Sequence, residues 1–231
     1  MKILRSPIPL LILALAAGLL PGTARSASYQ ADTLHDFGHV GIDFKVTHSH
    51  WLVNTGEVPL VIKKVLSNCD CTTVYATDTT VPSGDTAYLV ATFSTKDYYG
   101  PVARGFTVFL EDPDSTRIEF MQRAVVGQWY FGLKPDPFSL FFLPGQGSKK
   151  VTVTNTEHGE ISFALRDQAD TTFDVKLLRT KASRGEKLEL EVTPRPTLKG
   201  GTYQSSFSIE VKVKGGAVPA ILSVPVKIVR Y

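Results

Sequence analysis

The stretch Phe44-Lys45-Val46-Thr47-His48-Ser49-His50-Trp51-Leu52-Val53-Asn54-Thr55-Gly56 decides the class of fold. Phe44, Val46, His48, His50 and Leu52 occupy every second position of this stretch. A period of two is that of a β-strand with one face turned towards a core, because successive side chains point to opposite faces. Asn54-Thr55-Gly56 then ends the strand as a turn.

The same alternation continues on both sides of this stretch, from Leu34 to Val229, with turn sequences between the short apolar runs. Such spacing, with no helical period of useful length, predicts an all-β sandwich. The segment Gly132-Leu133-Lys134-Pro135-Asp136-Pro137 is rich in turn formers and marks a boundary. We therefore expect two tandem β-sandwich domains, over residues 34–130 and 135–231.

The two halves are related by a constant shift of 101 residues. Asn54-Thr55 corresponds to Asn155-Thr156 and Gly84-Asp85 to Gly185-Glu186, and apolar positions such as Phe106 correspond to Phe207. A single shift that matches both turns and core positions indicates a duplication. The same shift takes Cys69 to Asp170 and Cys71 to Thr172. The second domain is therefore expected to build the fold without cysteines.

The N-terminus has the pattern of a secretory signal peptide over residues 1–26. A basic start at Lys2 and Arg5 precedes an apolar run over residues 8–20, and small residues surround the expected cleavage point after Ser26. The run is short for a transmembrane helix, which needs roughly 20 residues. A retained anchor stays open as an alternative. We expect a secreted protein of the periplasm or cell envelope, with no transmembrane segment after cleavage.

Charge argues against a nucleic-acid partner. The formal charge of +3 comes from 25 basic and 22 acidic residues, and three of the basic residues lie in residues 1–26. The remaining chain is neutral and has no dense basic run of the kind that phosphate binding requires. A protein or another envelope component is the expected partner.

Cys69 and Cys71 are the protein's two cysteines, and they flank Asp70. In an extended strand such residues have Cα atoms roughly 6.6 Å apart, so a disulfide is reachable only if the backbone is pinched. We favour a local disulfide or two unreactive thiols. Redox exchange is less favoured because Asp70 disfavours the thiolate form. A copper or zinc site stays open as a less favoured alternative; it would add His48 and His50, which share one strand face.

For these histidines the simpler interpretation is that His48 lies at the surface and His50 lies half-buried in an aromatic slot. No catalytic motif is present, since Gly145-Gln146-Gly147-Ser148 lacks the spacing and the ending of a phosphate loop. We therefore expect no enzyme activity and no cofactor.

Four motifs in order make the first domain resemble the bacterial secreted family called domain of unknown function 1573 (DUF1573), which is related to hydin and ASH immunoglobulin-like domains. The motifs are His35–Val40, Leu52–Leu60, Ser67–Thr73 and Val81–Ala87. The resemblance implies an immunoglobulin-like fold and supplies no activity. It marks as fold-motif residues Phe37, Gly38, Asn54, Thr55, Gly56, Pro59 and Gly84. Family members usually carry Gly where Asp70 stands.

Three functions follow as hypotheses. The first is a non-catalytic binding or structural module of the cell envelope, which uses strand edges or end loops for contacts. The second is a metal-handling or thiol-redox protein centred on Cys69 and Cys71. The third is a periplasmic chaperone of the PapD type, which also has two such domains.

Overall fold

The computed structural model describes residues 26–231 except residues 131, 157–158, 169–171 and 217. The predicted signal peptide thus lies, apart from Ser26, outside the described residues. The described part of the chain forms eighteen β-strands. It contains no helix that is long and apolar enough to cross a membrane.

Nine strands build the first half of the chain. Their bounds are β1 Tyr29–Ala31, β2 Leu34–Val40, β3 Lys45–Asn54, β4 Leu60–Ser67, β5 Thr72–Ala76, β6 Thr80–Val81, β7 Thr86–Ser94, β8 Gly100–Leu110 and β9 Arg117–Val126. The second half has nine more. Their bounds are β10 Pro135–Asp136, β11 Leu140–Phe142, β12 Lys149–Thr154, β13 Ile161–Gln168, β14 Phe173–Arg179, β15 Lys181–Ala182, β16 Lys187–Pro194, β17 Gly201–Val213 and β18 Ala220–Arg230.

Each half packs two sheets face to face. The outer sheet of the first half has the order β1-β3-β7-β5, and that of the second half has the order β10-β12-β16-β14. The other strands form one ten-stranded sheet that runs through both halves in the order β15-β13-β17-β18-β2-β9-β8-β4-β6, with β11 paired to β18. The predicted all-β fold of two immunoglobulin-like sandwiches is confirmed.

Alternating apolar residues fill the space between the sheets of each half, as the period of two requires. In the first half Leu52, Leu89, Phe106 and Phe120 are fully or almost fully buried. In the second half a single cluster of buried side chains includes Phe142, Phe173 and Phe207. Each half thus has its own apolar core.

The structure repeats the duplication at the level of single hydrogen bonds. The side-chain amide of Asn54 donates to the carbonyl oxygens of Val58 and Val81, both at 2.8 Å. That of Asn155 donates to those of Gly159 and Ala182, at 2.6 and 3.1 Å. Val58 and Gly159 are 101 residues apart, and so are Val81 and Ala182. The predicted shift is therefore confirmed.

The predicted boundary is more ordered than a linker. Pro135–Asp136 forms β10 and pairs with β12, and Leu133 is buried in the core of the second half. This turn-rich segment therefore belongs to the second sandwich, because its short strand covers the edge of β12. The domain limits 34–130 and 135–231 stay a prediction, which limited proteolysis can test.

Candidate functional site

Cys69 and Cys71 form a disulfide with a Cα–Cα distance of 5.2 Å. They lie in the turn between β4 and β5 and not in an extended strand. The amide of Thr72 donates to the carbonyl oxygen of Cys69 at 3.3 Å, which closes the turn and brings the two Cα atoms together. With both sulfurs bonded to each other, neither is available as a thiolate ligand or nucleophile.

The second group singled out by sequence, His48 and His50, is buried. His48 is 8% exposed, so the expectation that it lies at the surface is wrong. The reason is tertiary, because β17 of the second half packs against β3 and covers this end of the strand. Nδ1 of His48 lies 2.7 Å from Oδ2 of Asp167, and its Nε2 lies 2.7 Å from Oδ2 of Asp32.

His50 lies one step further along the same face of β3 and is fully buried. Its ring packs edge-on against Phe106 and Phe120, with centroid distances of 5.4 and 5.3 Å. The expected aromatic slot is therefore present, but the residue is fully rather than half buried. Nδ1 of His50 donates to the carbonyl oxygen of Asp32 at 2.7 Å. Nε2 of His50 is buried and has no hydrogen-bond partner among the described residues.

His35, on β2, completes the group. Its ring stacks on that of His48 with a centroid distance of 3.6 Å and an interplanar angle of 10°. Its Nε2 lies 3.6 Å from Oδ2 of Asp167 and has no hydrogen-bond partner in the described part of the chain. Asp32, His35, His48, His50 and Asp167 are named the junction cluster below.

The pKa values of neighbouring histidines in the junction cluster shift in opposite directions. Burial alone would lower the pKa of His48, but its hydrogen bonds to Asp167 and Asp32, together with their negative charges, raise it. Burial, reinforced by the charge of His48, lowers the pKa of His35 to about 3 and that of His50 to about 4. Burial acts to raise the pKa of Asp167, and the hydrogen bond and charge of His48 more than offset this and lower it. Both ring nitrogens of His48 lie 2.7 Å from a carboxylate oxygen, so a protonated His48 donates to two carboxylates, one from each half of the chain.

Polar contacts beside the cluster hold the same junction. The hydroxyl of Ser206 donates to the carbonyl oxygen of Thr47 and accepts from its amide, both at 2.9 Å. The hydroxyl of Ser223 donates to the carbonyl oxygen of Phe37 at 2.7 Å. These buried bonds give hydrogen-bond partners to backbone groups of β2 and β3 that face strands of the second half.

At Gly38 a strand of the first half lies very close to a strand of the second. It has a φ of +62°, and a Cβ atom there would overlap the backbone oxygen of Ile221 on β18. Position 38 therefore requires glycine for two reasons, the left-handed backbone and the neighbouring strand. Phe37 beside it is fully buried.

The other fold-motif residues lie in two neighbouring turns, one between β3 and β4 and the other between β6 and β7. Gly56 donates its amide to the side-chain oxygen of Asn54 at 2.9 Å, and Gly84, with a φ of +81°, donates its amide to the carbonyl oxygen of Asn54 at 2.9 Å. Thr55 and Ser28 share a hydroxyl hydrogen bond of 3.1 Å. Pro59 is exposed directly before β4. These residues close the end of the first sandwich and lie outside the junction.

Sequence reasoning missed Asp32, His35 and Asp167. His35 belongs to the motif His35–Val40, so a search for further histidines beside His48 could have identified it as a candidate. Asp167 lies 119 residues from His48 at an irregularity of β13, and the duplication gives no hint of it because position 66 is a leucine.

Two sets of three side chains in the junction cluster could hold a metal ion. They are Asp32, His48 and His50, and His35, His48 and Asp167, with donor atoms of each set within 4.8 Å of one another. The cysteines belong to neither set.

A different surface carries exposed aromatic side chains on the outer sheet of the first half. Trp51 on β3, Tyr88 on β7 and Tyr75 on β5 are 39%, 47% and 62% exposed. Trp51 and Tyr88 are cross-strand partners, and Tyr75 pairs with Val90, two residues from Tyr88. These three residues are named the aromatic face.

The family comparison matches the first half of the chain. Residues 30–124 match the family described as "Protein of unknown function (DUF1573)". The resemblance drawn from the four motifs is confirmed for this part of the chain. No curated protein matches the chain.

Solved structures match parts of the chain at low similarity. VesB protease of Vibrio cholerae has 12% identity over 43% of this chain and 32% of its own, with a TM-score of 0.36. A protein of unknown function from Porphyromonas gingivalis W83 has 12% identity over 86% and 99%, with a TM-score of 0.34. An ASH/PapD-like domain of human CEP192 has 10% identity over 50% and 97%, with a TM-score of 0.34. The chain spans about a third of the Vibrio protease, and scores this low carry no inference about activity.

Proposed function

We propose that the protein is an exported, non-catalytic binding module of the cell envelope, and that the aromatic face of its first domain contacts a protein partner. Immunoglobulin-like sandwiches present sheet faces and end loops to partners, and exposed aromatic side chains are enriched where such contacts form. The fold and the family of unknown function fit a binding or structural role.

The observation that carries the proposal is the contrast between equivalent positions of the two outer sheets. Trp51, Tyr75 and Tyr88 correspond by the shift of 101 to Thr152, Lys176 and Glu189. Thr152 and Glu189 are cross-strand partners, as Trp51 and Tyr88 are. The fold therefore forms without aromatic side chains at these positions. Exposed rings that a duplicated fold does not need are a feature of function more than of stability.

The reactive side chains support a non-catalytic role. The cysteines are joined in a disulfide, and the three histidines of the junction cluster are buried where the two halves meet. Catalytic groups generally line a cleft that a substrate can enter. Here the imidazole of His48 is hydrogen-bonded to one carboxylate from each half of the chain, which is a structural use.

In-cell photo-crosslinking tests the proposed contact. A photoreactive phenylalanine derivative at position 75 is expected to give a discrete cross-linked protein in the native host, and the same residue at position 176 is expected to give none. The matched variant Trp51→Thr/Tyr88→Glu carries the second domain's own residues and is expected to abolish the adduct at position 75 without loss of fold. Equal adducts at both positions, or none at position 75, would overturn the proposal.

Export is tested separately by the mass of the purified protein. Cleavage after Ser26 predicts a mature chain that begins at Ala27 and is recovered from the periplasmic or envelope fraction. An intact N-terminus at Met1 in the cytoplasmic fraction would contradict the proposed location.

A further inference from the structure

We propose that Asp32, His48 and His50 form a binding site for one divalent transition-metal ion of the zinc class, which would strengthen the junction between the two halves. This site is separate from the aromatic face and does not depend on the binding role proposed above. It differs from the metal site considered from sequence because Asp32 takes the place of the cysteines.

The donor atoms are already close to the spacing that a metal requires. Oδ2 of Asp32 lies 2.7 Å from Nε2 of His48 and 3.7 Å from Nδ1 of His50. Ligand atoms of a tetrahedral zinc ion with bonds of 2.0–2.1 Å are about 3.3 Å apart. Changes of about half an ångström in these two distances give that spacing, and the donor nitrogens of His48 and His50 lie within 4.8 Å of each other. The ion would replace the proton on Nε2 of His48. Binding through Nδ1 of His50 would replace the hydrogen bond to the carbonyl oxygen of Asp32 and leave the ring proton on Nε2.

Ring orientation selects this set over the alternative one. The imidazole planes of His48 and His50 are perpendicular, with centroids 4.5 Å apart, so their in-plane lone pairs can converge on one ion. The planes of His35 and His48 are nearly parallel at 3.6 Å. Lone pairs that lie in two parallel planes cannot meet at one metal, so the set with His35 and Asp167 would need a ring to rotate.

Asp167 supplies the outer shell. When Nε2 of His48 binds the ion, its Nδ1 keeps a proton and donates to Asp167 across the existing distance of 2.7 Å. A carboxylate that orients a ligating imidazole through its other nitrogen is a general feature of metal sites. Because Asp167 belongs to the second half of the chain and the ligands to the first, the ion would couple both halves.

Charge balance also favours a doubly charged ion. The junction cluster holds the two carboxylates of Asp32 and Asp167, and each side chain is 25% exposed. A single proton on His48 balances one of the two negative charges, whereas a divalent ion balances both. Partly buried charges without compensation are costly, so exchange of the proton for a divalent ion is favourable. The partial exposure of both aspartates also leaves an entry path from solvent.

Zinc titration of the purified, chelator-treated protein tests the proposal. Calorimetry with zinc sulfate and native mass spectrometry are expected to show one ion per chain and a raised unfolding temperature. Asp32→Asn and His50→Val are expected to abolish this binding; His50→Val introduces the residue that the second half carries at the equivalent position, Val151. Asp167→Asn is expected to weaken it about 10–100-fold, the effect of losing an outer-shell partner.

Controls assign the ion to these ligands. His39→Gln, which alters a histidine outside the cluster, and Cys69→Ser/Cys71→Ser are both expected to bind zinc normally. His35→Asn is also expected to retain binding. The absorption spectrum of the cobalt-substituted protein gives a second readout, with the intense visible bands of a tetrahedral site that Asp32→Asn loses. Absence of stoichiometric zinc binding, or loss of binding in the His35 or cysteine variants, would overturn the proposal.

Discussion

The two halves of the chain have the same type of backbone fold but differ in the side chains that are candidates for function. Asn54 and Asn155 make the same pair of hydrogen bonds in the same turn. By contrast, His50 corresponds to Val151, which is 1% exposed in the second core. A buried valine fills this position in one copy and a buried imidazole in the other. The imidazole is therefore an addition to a fold that does not require it.

The junction itself breaks the symmetry of the duplication. Asp167 reaches His48 from the second half, whereas its counterpart in the first half, Leu66, is 46% exposed. The disulfide and the aromatic face likewise occur in the first half alone, as far as the described residues show. The first half thus holds the features that are candidates for function, and the second half provides one carboxylate and one supporting sheet.

The largest expected effect on the free energy of unfolding is that of a substitution at Gly38. Gly38→Ala forces a side chain into a left-handed backbone and against the backbone oxygen of Ile221. We expect a loss of about 2–5 kcal/mol in the free energy of unfolding, from backbone strain and overpacking together. Chemical denaturation measures it. Gly147→Ala is the control, since nothing lies near that position, and an equal loss there would contradict the assignment of Gly38 to the junction.

The corresponding residues Asn54 and Asn155 test whether the two copies of this turn contribute equally to the free energy of unfolding. Asn54→Ala and Asn155→Ala each remove two side-chain hydrogen bonds to backbone carbonyl groups. Each is expected to cost about 1–3 kcal/mol, because a typical intramolecular hydrogen bond contributes roughly 0.5–1.5 kcal/mol. Thermal unfolding of both variants measures the comparison. A large loss in one half and none in the other would show that the duplicated turns have diverged in importance.

Acid should weaken the metal-free protein through the buried histidines. The folded pKa of His50 is about 4 and the unfolded value is 6.5, so below pH 6.5 the unfolded chain binds the proton and the folded chain does not. Stability therefore falls as the pH drops from 6.5 to 4, by at most about 3 kcal/mol for this residue. His35 acts in the same direction, and His48, whose pKa is raised, acts in the opposite one.

Denaturation in the presence of a chelator at pH 7 and at pH 5 measures this dependence. His50→Val is expected to show a smaller fall than the unaltered protein. His39→Gln is the control and is expected to fall as the unaltered protein does. A fall in His50→Val as large as that of the unaltered protein would show that His50 does not contribute.

The smallest effect on stability is expected from loss of the disulfide. Cys69→Ala/Cys71→Ala opens a ring of three residues, for which loop closure predicts a loss of about 1–2 kcal/mol. The second sandwich forms without such a bridge, so unfolding should stay cooperative. Loss of cooperative unfolding would show that the turn between β4 and β5 depends on the disulfide. A thiol count with and without reductant checks the pairing in the purified protein.

Much of the architecture was predictable because it rests on local chemistry. The alternation from Phe44 to Leu52 fixes a strand with one buried face, since a shift by one residue would expose all its apolar side chains. Asn54 and Gly84 each belong to a local turn, and the shift of 101 residues carries these two turns to Asn155 and Gly185. The candidate disulfide followed from the closeness of Cys69 and Cys71 in the chain, although the turn that joins them was not predicted.

The junction was not predictable in this way. The alternation placed His48 and His50 on one face of β3 but could not say that a second sandwich covers His48. Sequence spacing carries no information about Asp167, because the contact joins residues 119 positions apart and has no counterpart in the other copy.

The sequence by itself determined the period of the strands, the turns, the duplication and the resemblance of the first half to the DUF1573 family, because each depends on residues close in the chain or on a repeated pattern. The tertiary structure alone decided that β2 and β18 join the halves in one sheet, and that three imidazoles and two carboxylates meet there. Long-range packing sets these contacts, and burial with opposite charges then gives the histidines their different protonation states.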